Sequence, residues 1–225
     1  MKKLAKKYAA SVALIEKGKK YTVAEACDLV KKTATAKWDE TIDVSFHLNI
    51  DPKQADQQLR GTISLPHGNG KTVRVLAITD KVDEAKAAGA DFVGQKDMLD
   101  KIQKENWFGF DVIVATPNMM GFLGRMGRVL GPKGLMPNPK TGTVTMNIGQ
   151  AIKEIKNGKI SYRNDKDGNL AVNFGKASFD AKALADNLQT VLDTVNRIRP
   201  ASIKGNYITS ITVSSTYGPS IKLAF

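Results

Sequence analysis

Two kinds of strand occur in this chain, and they belong to two kinds of sheet. Residues 41–50 alternate strictly, with Ile42, Val44, Phe46, Leu48 and Ile50 on one face and Asp43, Ser45, His47 and Asn49 on the other. Successive side chains of a strand point to opposite sides, so this pattern predicts a half-buried strand in an antiparallel sheet. Residues 72–79 and 111–115 are instead nearly continuous apolar runs with helical stretches between them. That is the pattern of a parallel sheet covered on both faces.

The order of the two patterns sets the layout. The middle of the chain predicts a βαβαβ unit: a strand at 72–79, a helix near 81–88, a short strand at 91–93, a helix near 96–104 and a strand at 110–115. Alternation precedes it in a short strand at about 60–65 and returns at 160–162, 170–174 and 207–213. A helix beginning at Asp180 carries Leu184, Leu188, Val191, Leu192 and Val195 before Pro200 stops it. Two further helices are predicted within the first 33 residues. In one, Leu4, Tyr8, Val12 and Ile15 recur at helical spacing; in the other, Thr22 and Glu25 form a capping box. The expected fold is an α+β terminal domain built from both chain ends, residues 1–67 and 160–225, with an inserted α/β Rossmann-like domain at 68–159. The alternating strands are expected to share one antiparallel layer, with crossings at 66–71 and 157–159.

With 34 Lys and Arg against 22 Asp and Glu, the chain carries a formal charge of +12, which points to a polyanionic partner. Its distribution says more. No acidic residue lies between Asp111 and Glu154, where Arg125, Arg128, Lys133, Lys140 and Lys153 all occur, and none follows Asp193, where Arg197, Arg199, Lys204 and Lys222 do. The apolar runs fall far short of the ~20 residues of a membrane crossing, and the lysine-rich start lacks a signal-peptide core. One cysteine, Cys27, forms no internal disulfide and no zinc site; it suits a reducing cytosol, with core packing its default role.

Catalysis has little to build on. Gly70-Lys71-Thr72 lacks the first glycine of a phosphate loop, because Leu65 stands there, and it precedes a strand where the motif must follow one. Gly121, Gly124 and Gly127 are spaced differently from a dinucleotide fingerprint. His47 and His67 have no motif that pairs them with a nucleophile or a metal. His47, on the polar face of its strand, reads first as a solvated or hydrogen-bonded side chain. No enzyme activity, cofactor or metal is expected. A nucleotide-dependent enzyme and a general polyanion or membrane-surface binder are the rival classes.

Three features favour RNA. The segment 124–145 is rich in glycine, proline and base, free of acid, and expected to be a rigid irregular loop whose amides and cations face phosphates. Residues 214–220 set hydroxyls, a phenol and Gly218 in one turn between strands, suited to reading RNA by shape. Beside Lys37, an exposed Trp38 would stack on a base or sugar; its even numbering matches Ile42 and Phe46 and would bury it if the strand began there. The sequence leaves both open.

The chain resembles the bacterial large-subunit ribosomal protein L-one family over essentially its whole length. The likeness rests on 37–41 (KWDET), 60–68 (Arg60-Gly61-Thr62 through Leu65-Pro66-His67-Gly68), the loop 130–140 (LGPKGLMPNPK), 162–166 (YRNDK), Gly175-Lys176 and 216–220 (TYGPS). The resemblance implies binding to large-subunit rRNA at the mobile stalk near the tRNA exit site, assistance in releasing deacylated tRNA, and repression of the chain's own operon mRNA. It implies a cytoplasmic, ribosome-bound protein, a monomer when free, with no membrane partner. RNA contacts are expected at Lys37, Trp38, Thr41, Arg163, Lys166, Lys204, Thr216, Tyr217 and Gly218, with a secondary basic loop at Arg125, Arg128, Lys133 and Lys140. Trp38 stands where the family usually has Phe, and Tyr217 where it has Met.

Overall fold

The computed structural model describes residues 5–203 and 205–225. In chain order its first elements are α1 (Lys6–Ala13), α2 (Val23–Thr33), β1 (Thr41–Leu48) and β2 (Arg60–Ser64). Then come β3 (Val75–Ile78), α3 (Val82–Ala87), β4 (Phe92–Gly94), α4 (Lys96–Glu105), β5 (Val112–Ala115), α5 (Met120–Arg125), α6 (Gly127–Leu130) and α7 (Ile148–Lys156). The last are β6 (Lys159–Arg163), β7 (Asn169–Lys176), α8 (Ala181–Arg197), β8 (Ile208–Ser215) and β9 (Ile221–Lys222). The chain divides into two compact units, Met1–Gly70 with Ile160–Phe225, and Lys71–Lys159.

In the first unit, β1 lies between β7 and β8 in an antiparallel sheet of order β7-β1-β8-β9. Ile42, Val44, Phe46 and Leu48 point into the core, where α2 and α8 cover them with Ala26, Val30, Leu184, Leu188, Val191 and Val195. The other face pairs Asp43, Ser45 and His47 with Asn173, Ala171 and Asn169 on one side and Ser214, Thr212 and Ser210 on the other, giving a surface of amides and hydroxyls. The capping box forms: Thr22 Oγ1 accepts the Glu25 N–H and Glu25 accepts the Thr22 N–H at 3.0 Å. Cys27 is buried, and burial pushes its thiol up to about 12.

One expectation about this unit needs correction. The alternating strands do not share one layer, because β2 and β6 form a separate two-stranded sheet. Both still feed the same core through Ile63, Leu65 and Tyr162; alternation reports a half-buried strand and not its partner. The first helix forms but ends at Ala13, and of the four spaced residues Ile15 packs partly buried against the core just beyond it. Leu4 lies outside the described residues, Tyr8 is exposed, and Ser11 is the helix's one buried side chain.

The second unit is a parallel sheet of order β4-β3-β5. Every residue of β3 is buried, because one face packs Leu76 and Ile78 against α4, α5 and α6, and the other packs Val75 and Ala77 against α3 and α7. The segment 124–145 is not irregular throughout, since its start completes α5 and forms α6. Leu123, Met126 and Leu130 recur at helical spacing and are buried, which makes that stretch part of the core despite its glycines.

The chain leaves the first unit under tight constraint. Asn187 of α8, fully buried, accepts the His67 N–H at 3.1 Å and donates to Gly68 O at 2.9 Å and Phe174 O at 2.8 Å. Gly70 has φ +68°, and a Cβ there would meet Lys176 Cγ at 2.8 Å and Phe179 Cε1 at 2.9 Å, so only glycine fits.

Candidate nucleic-acid interface

At the Thr41 end of the four-stranded sheet, the α2–β1 loop meets the β8–β9 turn, and a buried acid joins them. Glu40 is 1% exposed. Its carboxylate accepts the backbone N–H of Ala36 at 2.7 Å and that of Tyr217 at 3.1 Å. Burial by itself would raise its pKa, but these two donors, with the Ser215 hydroxyl and the Thr35 N–H, outweigh burial and hold it below the usual carboxylate range. The Glu40 carbonyl also accepts the N–H of Ala177, which follows β7.

Thr41 and Thr216 complete the joint. Thr216 Oγ1 accepts the Thr41 N–H and donates to Thr41 O, both at 3.2 Å, while the Thr216 N–H reaches the same carbonyl at 3.1 Å. Gly218 is required by close approach, because a Cβ would lie 2.4 Å from Ser215 Oγ and 3.3 Å from Thr33 Oγ1. On the β7 side, Lys176 Nζ donates to Thr41 Oγ1 at 3.1 Å and Asp39 O at 3.3 Å, and the Asp39 carboxylate accepts the N–H and hydroxyl of Ser178, both at 2.9 Å. Burial pushes the neighbouring Asp43 carboxyl up, with Lys176 opposing.

Above this frame stand aromatic rings. Trp38 is 51% exposed and Tyr217 65%, their centroids 5.9 Å apart at 76°, edge to face. Trp38 therefore takes the exposed of its two readings: β1 begins at Thr41, so the alternation that would bury it does not reach it. Tyr8 of α1, 37% exposed, faces the same open groove of about 680 Å³, lined also by Ala5, Lys7, Thr35, Ala36 and Lys37.

The expected site residues do not all gather here. Lys37, Trp38, Thr41, Thr216, Tyr217 and Gly218 do. Arg163 ends β6 and Lys166 lies in the turn before β7, both exposed. Because β7 runs from Asn169 opposite His47 to Lys176 opposite Thr41, that turn sits at the other end of the sheet, roughly 20 Å away along six residues of strand. The turn is held by Asp165, whose carboxylate takes the Asn169 side chain at 3.0 Å and the N–H groups of Asn169 and Asp167, all of which lower its pKa. His47, exposed, places Nδ1 2.8 Å from Asn169 Oδ1, the hydrogen-bonded role expected of it. Lys204 lies outside the described residues.

In the second unit Arg125 ends α5, Arg128 lies on α6, and Lys133 and Lys140 follow, all exposed. Lys133 Nζ sits 4.1 Å over the Phe108 ring, and the Lys140 N–H is capped by Asn138 Oδ1 at 2.8 Å. Among the described residues no group of three or more His, Cys, Asp or Glu is placed to hold a metal, and no helix is long and apolar enough to cross a membrane.

Three contributors escaped sequence reasoning. Glu40 was read only as part of a motif, since an acid in a basic surface carries no charge signal. Lys176 likewise appeared only within a motif. Tyr8 marks a helix by its spacing and carries no signal of which side that helix presents to solvent.

The chain is similar to known proteins over nearly its whole length. The model of a family described as Ribosomal protein L1p/L10e family matches residues 30–219. Large ribosomal subunit protein uL1 of Mesoplasma florum is 56% identical over 224 residues, covering 99% of each chain. The protein of the same name from Mycoplasma capricolum subsp. capricolum is 52% identical over 226 residues, covering the full length of both.

Proposed function

The chain belongs to the ribosomal protein L1p/L10e family, and on that premise we propose that it binds large-subunit rRNA at the mobile stalk beside the tRNA exit site. There it assists the departure of deacylated tRNA, and with the same surface it represses its own operon mRNA. Its role is structural and recognitive, not catalytic, exercised in the cytoplasm on the ribosome.

One observation carries this reading: two exposed aromatic side chains and Lys37 stand on a frame fixed from below by Glu40 and Thr216. A surface whose backbone is already fixed loses little conformational freedom on binding, so more of each contact appears as affinity. Lysines and arginines supply sequence-independent phosphate contacts, while the turn at 216–218 and the amide and hydroxyl face of the sheet read groove shape and 2′-hydroxyls. The first unit is the principal RNA-binding domain. Arg163 and Lys166 contribute a second, more distant set of phosphate contacts, and Lys204 is a further RNA contact. Arg125, Arg128, Lys133 and Lys140 in the second unit form a secondary basic loop that adds further phosphate contacts.

The test is a gel-shift titration of the full chain against its matched rRNA fragment and an unrelated hairpin across a salt series. Preference for the rRNA fragment is expected, with a log-log salt slope near −3.5 to −4.5 for roughly five phosphates. Equal affinity for both RNAs, or a flat salt dependence, would refute it.

A further inference from the structure

We infer that the groove between α1, the α2–β1 loop and the β8–β9 turn is a nucleobase site that accepts one unstacked base of a single-stranded RNA segment, with Tyr8 and Lys7 of α1 as functional walls. The inference rests on the RNA-binding reading and specifies what this part of the surface takes.

Four Phe, Tyr or Trp rings are exposed among the described residues, and three of them, Tyr8, Trp38 and Tyr217, line this one groove. They come from three separate elements, so no single helix or strand pattern accounts for their meeting. The Trp38 and Tyr217 rings stand at 76°. An edge-to-face pair spends the edge of one ring on the face of the other, which leaves ring faces free for a third, stacked partner. The groove's volume, about 680 Å³, falls among sites that enclose small ligands and holds a base with its sugar.

The charge of the lining selects the class of ligand. Among the described residues Lys7 and Lys37 are its charged residues and no acid accompanies them, so an aromatic ligand bearing phosphate fits and a cationic one does not. Bases within an A-form duplex keep their faces stacked on each other, whereas loops and bulges present them free. Two walls are fixed before binding, since Glu40 holds the Ala36 and Tyr217 amides together. The third is lightly held: Ser11, the buried side chain of α1, donates to Thr33 O at 3.3 Å.

The experiment uses the full chain carrying Trp107→Phe, so that Trp38 is the remaining indole. Trp38 emission is followed as the matched rRNA fragment is added, then as versions are added in which each unpaired nucleotide in turn is abasic. Quenching on binding is expected, and one abasic position should remove it and weaken binding about 5- to 150-fold, the loss of a single stacked base. Tyr8→Leu should weaken binding to a similar degree, and Tyr8→Phe, which keeps the ring, should not. The site is overturned, with RNA binding left standing, if the fragment binds tightly while emission is unchanged, if every abasic position is tolerated, or if Tyr8→Leu binds like the parent. A fragment bound no better than a fully paired hairpin overturns the RNA reading itself.

Discussion

Glu40 and Tyr217, separated by 177 positions, are joined by a 3.1 Å hydrogen bond from the Tyr217 backbone N–H to a carboxylate that solvent scarcely reaches. Glu40→Gln keeps the size of the side chain but turns one of its two acceptor oxygens into a donor, which then faces the Ala36 or the Tyr217 N–H. A loss of about 1–3 kcal/mol in urea unfolding at neutral pH is expected. Because the folded-state pKa lies below the ordinary 4.5, the charge contributes fully above that value and its contribution fades as pH falls through the lower, folded-state value. The gap between parent and Glu40→Gln should therefore narrow in acid; a constant gap would mean that the charge is not what holds the joint.

Thr216→Val removes the hydroxyl that pairs with both backbone groups of Thr41. A loss of about 0.5–1.5 kcal/mol in stability is expected, together with weaker rRNA binding as the turn loosens. Thr216→Ser should restore both. Melting curves and titrations on the same samples check this, and an affinity loss without any stability loss would assign the hydroxyl to RNA instead of to Thr41.

Gly218→Ala drives a methyl into the Ser215 hydroxyl and should cost about 1–3 kcal/mol. The Ser215 hydroxyl is buried without a hydrogen bond of normal geometry and lends Glu40 less support than the Ala36 and Tyr217 amides do, so Ser215→Ala should cost little alone and should recover most of the loss in the double variant. If the double variant is no more stable than Gly218→Ala, close approach is not why glycine stands there.

Double-mutant cycles on rRNA binding separate the two ends of the sheet. Trp38→Ala and Tyr217→Ala remove touching rings and should couple by about 0.5 kcal/mol or more, whereas Trp38→Ala and Arg163→Ala should add within about 0.3–0.5 kcal/mol. Trp38→Ala should also leave the melting temperature nearly unchanged, because half the side chain is in solvent. Strong coupling between Trp38 and Arg163 would place them in one contact.

Residues 1–70 joined to 160–225 by a short linker should fold and keep preference for the rRNA fragment, since the core of the first unit draws on these segments alone. Circular dichroism and a gel shift decide it. A folded chain without preference would move the principal site into residues 71–159.

The sequence made periodicity legible and left long-range partnership hidden. Ile42 to Leu48, the β3 run and the Thr22–Glu25 cap follow from local spacing, and each appears where its spacing puts it. That β2 would pair with β6 outside the main sheet depends on residues a hundred positions apart, which alternation does not encode. The same holds at the interface: Trp38, Tyr217 and Gly218 stand out by type, but Glu40 matters through two amides that no pattern ties to it. Tyr8 gave no hint of its place because helical spacing marks an apolar stripe without saying whether a core lies opposite. In 124–145, glycine and proline masked the 3.6-residue repeat of Leu123, Met126 and Leu130.

Asn187 gives the chain's departure from the first unit a mechanical character. Its amide engages the backbone at His67, Gly68 and Phe174 at once, so tension applied at residue 71 does not peel β2 away one rung at a time. It loads the Asn187 bonds to His67 and Gly68 together and passes through the Asn187 side chain into α8 and, by its bond to Phe174, into β7. Bonds loaded together must break together. The exit point acts as a weld, and whatever compliance the crossing has lies in the residues after Gly70.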